Sequence, residues 1–267
     1  MEPRSRRASR QKKSDNNGIG KIAAVIVVST LLIGLAIFFA INQEDKGAKN
    51  ASEETKKETT PSTTEPTKPS SSEPQIELTE IQMLVNKEHG LDEDYVPPDL
   101  IVPKIKFVYQ TAEIKQMQRV AAESLEKMFE AAKQDGLPLA GVSGYRSYKT
   151  QKILYNNYVK RDGQEAADRY SAKPGHSEHM TGLTMDIAGY SGKCAASDCF
   201  HNTKEAQWLK DNAYKYGFIL RYPPGKEEIT GYKHESWHYR YVGEPLAKFI
   251  YEKQITLEEY YETYAKK

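Results

Sequence analysis

The chain carries the stretch His179-Met-Thr-Gly-Leu-Thr-Met-Asp186 and, about fifty residues later, the stretch Glu235-Ser-Trp-His238. In the first stretch a glycine between the histidine and the aspartate favours a turn, and the apolar residues 183–187 that follow predict a strand. A turn would then deliver His179, and a strand Asp186, to one point. Together the two stretches offer two imidazoles and one carboxylate to a zinc ion, and a second carboxylate is left over.

Three protein ligands are typical of a catalytic zinc site, which keeps its fourth position open for water. A spare carboxylate beside such a metal can take a proton from that water. The pattern therefore indicates metal-dependent hydrolysis rather than a structural zinc site.

The second stretch also permits another interpretation, because His234-Glu-Ser-Trp-His238 matches the H-E-x-x-H pattern of helical zinc proteases. That pattern requires a helix. Gly231 precedes it, and the aromatic and β-branched residues 239–242 follow it before another glycine, which favours a strand. We therefore expect His234 to be a bystander.

The first third of the chain divides into three segments. Residues 1–21 are basic, residues 22–41 form an uncharged apolar run, and residues 42–75 are mainly glutamate, lysine, threonine, serine and proline. An apolar run of about twenty residues can cross a membrane as a helix, whereas the apolar part of a signal peptide usually has only about 7 to 15 residues. We therefore expect an uncleaved transmembrane helix rather than a cleaved signal peptide.

The basic residues before this helix place the tail 1–21 in the cytoplasm by the positive-inside rule. Residues 42–75 have too few large apolar side chains to offset the entropy of ordering, and they predict a disordered tether. The protein is thus expected at the cell membrane as a single-pass protein, with residues 76–267 outside the cytoplasm.

The formal net charge of +1 gives no reason to expect a nucleic acid partner, and we expect a monomer. The two cysteines of the chain, Cys194 and Cys199, lie close together in a loop rich in small residues. Outside the cytosol they could form a disulfide. A second zinc site with His201 is the alternative, although two thiols and one histidine would need a further ligand.

Residues 76–267 have a globular composition. Apolar residues spaced by three and four predict a helix over residues 113–134 that ends near Gly136. Further helices are predicted over residues 148–161, 203–216, 244–252 and 257–264, and strands over residues 137–143, 218–222 and 236–242. Helices and short strands without regular alternation predict an α+β fold, in which helices surround a small antiparallel sheet.

Four ordered motifs lie between about residues 141 and 243: Ser143-Gly-Tyr-Arg-Ser147 with Gln151, Pro174-Gly-His-Ser-Glu-His-Met-Thr-Gly-Leu-Thr-Met-Asp186, Tyr216-Gly-Phe-Ile-Leu-Arg-Tyr-Pro223, and Glu235-Ser-Trp-His-Tyr-Arg240. In these motifs the chain resembles the zinc D-alanyl-D-alanine carboxypeptidase family, which includes VanY and the related L,D-carboxypeptidases of bacterial cell walls. One departure is Thr184, where we expect the family to carry alanine. A small side chain there should not disturb a metal bound by Asp186.

The resemblance implies one zinc peptidase domain over residues 76–267 and assigns roles to the matching residues. The implied zinc ligands are His179, Asp186 and His238, with Glu235 as the general base. Arg146 is placed in the site, where its guanidinium would grip a substrate carboxylate or stabilise an oxyanion. The implied substrate-binding residues besides Arg146 are Gln151, Ser177 and Tyr222.

Other aromatic residues are predicted to pack in the core, among them Trp237, Tyr155, Tyr158, Tyr260 and Tyr261. The resemblance further implies that the enzyme removes the terminal D-alanine of peptidoglycan stem peptides. Two alternatives stay open: L,D-carboxypeptidase action on stem tetrapeptides, and a wall-binding module without catalysis.

Overall fold

The computed structural model describes residue 76 and residues 78–265. The predicted tail 1–21, transmembrane helix 22–41 and tether 42–75 lie outside these residues. Among the described residues, no helix has both the length and the apolar character needed to cross a membrane.

The described residues form the predicted α+β fold, with two small antiparallel sheets where one was predicted. The strands are β1 (Leu100–Ile101), β2 (Met117–Gln118), β3 (Leu139–Ser143), β4 (Thr184–Gly189), β5 (Phe218–Leu220) and β6 (His238–Tyr241). The α-helices are α1 (Arg119–Gln134), α2 (Tyr148–Asp162), α3 (Gln164–Asp168), α4 (Lys204–Asn212), α5 (Glu227–Thr230), α6 (Glu244–Lys253) and α7 (Leu257–Thr263). Short 3-10 helices lie at Glu80–Gln82, Glu113–Lys115, Glu178–Thr181, Asp198–Asn202 and Ala213–Tyr216.

The main sheet has the strand order β3-β4-β6-β5, so β4 and β6 are its central strands. All residues of β4 and β6 are buried. Helix α1 contributes an apolar face to the core, with Leu125 and Met128 fully buried. Burial of such a side chain stabilises the fold by roughly 1.5–3 kcal/mol relative to exposure.

The predicted helix over residues 113–134 begins later than expected. Residues 113–115 form a 3-10 turn, residues 117–118 form β2, and the α-helix starts only at Arg119. Long-range pairing overrides the helical periodicity here, since Ile114 O accepts from Gly144 N at 2.6 Å and Gln116 O accepts from Tyr145 N at 2.8 Å. The end of the helix is confirmed, with Gly136 at a φ of 79°.

The remaining predicted elements are found, most with boundaries that differ by a few residues. The predicted helix 203–216 divides into α4 and a 3-10 turn before Gly217. Helices α6 and α7 pack in a second apolar cluster with β5, centred on Leu246, Ile250 and Leu257. Helices α3 and α5, each five residues or shorter, were not predicted because they are too short to show a periodic pattern.

The sheet brings the ends of three segments together. Asp186 in β4 pairs with His238 in β6 on one side and with Ser143 in β3 on the other. A register shift between Gly141 and Ser143 bends the end of β3. The chain that leaves β3 then reaches the 3-10 turn before β4, where Arg146 N donates to His179 O at 3.2 Å.

Thr184 and Thr181 are both fully buried, but only one of their hydroxyl groups forms hydrogen bonds. Thr184 is fully buried, and its hydroxyl has no hydrogen-bond partner among the described residues. The equally buried Thr181 hydroxyl donates to Glu178 O at 2.6 Å and accepts from Leu183 N at 3.0 Å. An unpaired buried hydroxyl costs about 1–3 kcal/mol, and a hydrogen-bonded one stabilises the fold.

We expect Thr184→Val to raise the free energy of unfolding by about 1 kcal/mol, because the hydroxyl is replaced by a methyl group of similar size. For a domain of this size that corresponds to a rise in Tm of roughly 2–4 °C. Thr181→Val should lower Tm instead. Thermal unfolding of the metal-free proteins measures both, and a lower Tm for Thr184→Val would contradict the assignment.

Candidate active site

Three buried side chains converge at the centre of the main sheet. His179 lies in the 3-10 turn before β4, Asp186 lies within β4, and His238 begins β6. His179 Nε2 is 3.4 Å from Asp186 Oδ2, and His238 Nδ1 is 3.3 Å from Asp186 Oδ1. One potential ligand atom from each residue lies within 4.8 Å of the others. The structure therefore brings the three predicted ligands together.

The orientation of His179 is set by the backbone of the chain leaving β3. Its Nδ1 donates to Gly144 O at 2.7 Å, so Nε2 faces Asp186. Gly144 is required where this segment packs on the backbone before α1, since a Cβ atom there would lie 2.5 Å from Gln116 O. Gly182, with a φ of 67°, ends the turn in a left-handed conformation that glycine adopts without strain.

His238 faces Asp186 with Nδ1, whereas His179 faces it with Nε2. Nδ1 faces Asp186 and lies 3.7 Å from Glu235 Oε2, whereas Nε2 lies 3.2 Å from Glu178 Oε2. The ring of Tyr222 packs against the imidazole with 4.7 Å between centroids. His238 is thus enclosed by three acidic side chains and one aromatic ring.

The two imidazoles differ in basicity. Burial and the nearby Arg146 guanidinium lower the pKa of His179 to about 3, although Asp186 opposes the shift. Burial also opposes protonation of His238, but the carboxylates of Asp186 and Glu178 outweigh it and raise its pKa to about 9. The carboxylates around His238 therefore favour a positive charge on its imidazole, whereas burial and Arg146 disfavour one on His179.

The residues fit a zinc ion. Asp186 Oδ1 is buried and has no hydrogen-bond partner among the described residues, and His238 Nδ1 lies 3.3 Å from it. Two imidazole nitrogens and a carboxylate oxygen are donors that zinc prefers, and a set of three is usual in catalytic sites. His179, Asp186 and His238 are therefore the residues that would hold the metal.

Glu235 lies beside this donor set on the wall of a cavity. It precedes β6, and its backbone N–H donates to Tyr222 O at 3.1 Å. Burial raises the pKa of its carboxyl to about 7, and the negative charge of Asp186 adds to the shift. A carboxyl group with a pKa near neutrality can both accept and return a proton at physiological pH.

Arg146 also faces the cavity. Its Nη2 lies 3.7 Å from Asp186 Oδ2, and its Nη1 donates to Gln151 Oε1 at 2.8 Å. Its buried Nε has no hydrogen-bond partner among the described residues. Gln151 in turn donates to Ala172 O at 2.6 Å, so both ends of its amide are occupied. The guanidinium is thus held in place by Gln151, and not all of its N–H donors are used within the described residues.

A cavity of about 420 Å³ opens beside the donor set. The predicted residues Ser177 and Tyr222 line it, but Gln151 is not among the lining residues and contacts Arg146 instead. Trp237 was predicted to be a core residue, and it both packs in the core and lines the cavity. Tyr158 was also predicted to be core, yet it is half-buried at the cavity wall because its face of α2 borders the opening.

The structure also decides between the two interpretations of the H-E-x-x-H pattern and between the two predictions for the cysteines. Residues 234–238 are not helical, and His234 Nδ1 lies 2.7 Å from Tyr222 O, so the helical H-E-x-x-H interpretation is excluded and His234 is not one of the grouped ligands. Cys194 and Cys199 form a disulfide rather than a metal site. The loop that it closes contributes Ala196, Ser197 and Asp198 to the cavity wall.

Glu178 was missed by the sequence reasoning, although it lies inside one of the four motifs. Its side chain is fully buried, and it contacts His238 and two arginines, Arg221 and Arg240. The signal that could have found it is a glutamate directly before a predicted ligand, inside a motif that carries the family resemblance.

Comparisons with known proteins identify relatives of this chain. The model of the family described as VanY: D-alanyl-D-alanine carboxypeptidase matches residues 114–244. The bifunctional D-Ala-D-Ala dipeptidase and D-Ala-D-Ala carboxypeptidase VanXYC of Enterococcus gallinarum is 36% identical over 185 residues, which are 67% of this chain and 92% of VanXYC.

Two solved structures extend the comparison. The LdcB LD-carboxypeptidase matches with a TM-score of 0.64 and 47% identity, covering 67% of this chain and 84% of LdcB. A mutant of the vancomycin resistance D,D-pentapeptidase VanY, solved in complex with Zn(II), matches with a TM-score of 0.56 and 33% identity, covering 68% of this chain and 99% of that structure. The chain therefore belongs to the VanY family of D-alanyl-D-alanine carboxypeptidases.

Proposed function

We propose that this protein is a zinc-dependent carboxypeptidase that removes the terminal D-alanine from peptidoglycan stem peptides. The observation that carries the proposal is the convergence of His179, Asp186 and His238 beside Glu235 on a cavity wall. When bound, a zinc ion supplies Lewis acidity, which lowers the pKa of water and polarises a carbonyl group.

The protein's own groups supply proton transfer and substrate orientation. Glu235 takes a proton from the attacking water and returns it to the leaving amine, and its pKa of about 7 suits both steps. The guanidinium of Arg146 lines the cavity beside Asp186, where it binds either the terminal carboxylate or the oxyanion that forms on attack. Ser177 and Tyr222 shape the wall of the cavity next to these groups.

Two substrates are consistent with this site. The family description and the VanY structure favour D,D-carboxypeptidase action on pentapeptides. The likeness to LdcB, at 47% identity, favours L,D-carboxypeptidase action on tetrapeptides as the second candidate. Both reactions release D-alanine at the same metal site, and they differ in the residue before it, which is D-alanine in the pentapeptide and an L-configured residue in the tetrapeptide.

We further propose that the catalytic domain, residues 76–267, is a monomer held outside the cytoplasm. The basic tail 1–21 and the apolar run 22–41 support an anchor in the cell membrane, and residues 42–75 support a tether. Stem peptides beyond the membrane would then lie within reach of the active site.

Purified protein loaded with zinc should release D-alanine from a synthetic stem pentapeptide, and a chelator should abolish this release until zinc is added back. The tetrapeptide is measured in parallel by mass spectrometry. Faster turnover of the tetrapeptide would make L,D action the main activity. Release from neither peptide by a zinc-loaded, folded protein would contradict the proposed function and favour a wall-binding module.

Glu235→Ala should retain zinc but lose about 10²–10⁴-fold in kcat, because the general base is removed while the three ligands remain. The matched control is His234→Ala, one residue away, which should keep both zinc and activity. Metal analysis and D-alanine release measure the two properties. Loss of zinc in His234→Ala, with zinc retained in His179→Ala, would contradict the ligand assignment.

The full chain expressed in a bacterium should sediment with membranes and resist extraction by alkaline carbonate. A tag placed after Lys267 should be removed by protease added to intact protoplasts, whereas a tag before Met1 should be protected. A shortened protein found in the medium, with its N-terminus after residue 41, would show instead that the apolar run is a cleaved signal.

A further inference from the structure

We propose that Glu178 is a positioning residue that selects which ring nitrogen of His238 faces the metal. The inference rests on the proposed zinc site and assigns a role to a residue outside the ligand set. Glu178 would act through His238, without touching the substrate or the metal.

The contact between Glu178 and His238 is buried and specific. Glu178 Oε2 lies 3.2 Å from His238 Nε2, and the side chain of Glu178 is completely inaccessible to solvent. A carboxylate only accepts hydrogen bonds, so Nε2 of His238 must carry the hydrogen. The neutral imidazole then has its lone pair on Nδ1, the atom that faces Asp186.

The other oxygen of Glu178 shows why the carboxylate stays in this orientation. Oε1 accepts from Arg221 Nε at 2.8 Å and from Arg240 Nη1 at 2.8 Å. Two cationic donors on Oε1 leave Oε2 for His238. Arg240 is fixed in turn by the carbonyls of Ile81 and Met83, at 3.0 and 2.8 Å.

His179 provides an internal comparison. Its Nδ1 donates to the carbonyl of Gly144, so its orientation is set by the backbone. The ring of His238 has no contact with a backbone carbonyl among its described hydrogen bonds. The side chain of Glu178 orients it instead. Residues that fix metal-binding histidines in this way commonly change metal affinity by about 10–100-fold when they are replaced.

A purely structural role for Glu178 is the competing explanation, because it also neutralises two buried arginines. Glu178→Gln separates the two roles. The amide oxygen can still accept from Arg221 and Arg240, which directs the amide NH₂ towards His238 Nε2. That nitrogen must then accept, and the hydrogen moves to Nδ1, where it blocks the metal position.

The matched control is Glu258→Gln. Glu258 accepts from Arg221 Nη1 at 2.9 Å and from Nη2 at 2.5 Å, so the change removes a charge from the same cluster, but it does not alter the contact with His238. We expect the zinc dissociation constant to rise about 10–100-fold in Glu178→Gln and to change less than about twofold in Glu258→Gln. Competition with a chelator of known affinity measures both, without any assay of activity.

Equal zinc affinity in Glu178→Gln and the unchanged protein would overturn the inference, as would an equal loss in the two variants. An unchanged protein that binds no zinc would overturn the proposed function itself.

A second measurement does not depend on any variant. In zinc-loaded protein with ¹⁵N-labelled histidine, long-range ¹H–¹⁵N correlation spectra should show His238 metal-bound through Nδ1 with a hydrogen on Nε2. His179 should show the reverse pattern. Coordination of His238 through Nε2 would overturn the inference even if Glu178→Gln failed to fold.

Discussion

The pairing of β4 with β6 is the constraint on which the rest of the site depends. It sets Asp186 directly opposite His238 at the centre of a buried sheet. A shift of one residue in this register would turn the side chains of one strand to the other face. Because both strands are buried along their whole length, such a shift would also place each side chain in packing formed around a different residue. The ligand geometry is therefore stabilised by the same burial that stabilises the fold.

Charged groups are concentrated around this strand pair to an extent unusual for a protein interior. Arg221 and Arg240 are buried together with Glu178, and Arg146 lies near Asp186. Buried ion pairs add little net stability, but removing one partner typically costs about 3–5 kcal/mol because the other charge is left uncompensated. The network thus contributes to accurate placement more than to stability, and placement within fractions of an ångström is what a metal site requires.

The sequence predicts those parts of the site that depend on local pattern. The predicted ligands and Glu235 lie in short motifs, and the α+β fold follows from the spacing of apolar residues. The start of α1 could not be predicted, because distant backbone contacts from Gly144 and Tyr145 hold the preceding residues extended. Glu178 was missed for a similar reason, since its arginine partners lie 43 and 62 residues away. Contacts of that range leave no periodic signal in the chain.

The segment Glu80–Met83 has a consequence for where the catalytic unit begins. Its carbonyls hold Arg240, Gln82 donates to Val242 O at 2.8 Å, and the hydroxyl of Tyr261 donates back to Gln82 O at 2.7 Å. The residues matched by the family start only at Ile114, yet a protein trimmed to that point would leave a buried guanidinium without two of its acceptors. Mechanical tension transmitted along the chain from its N-terminal side would therefore load this segment, which is one side chain, that of Arg240, away from Glu178.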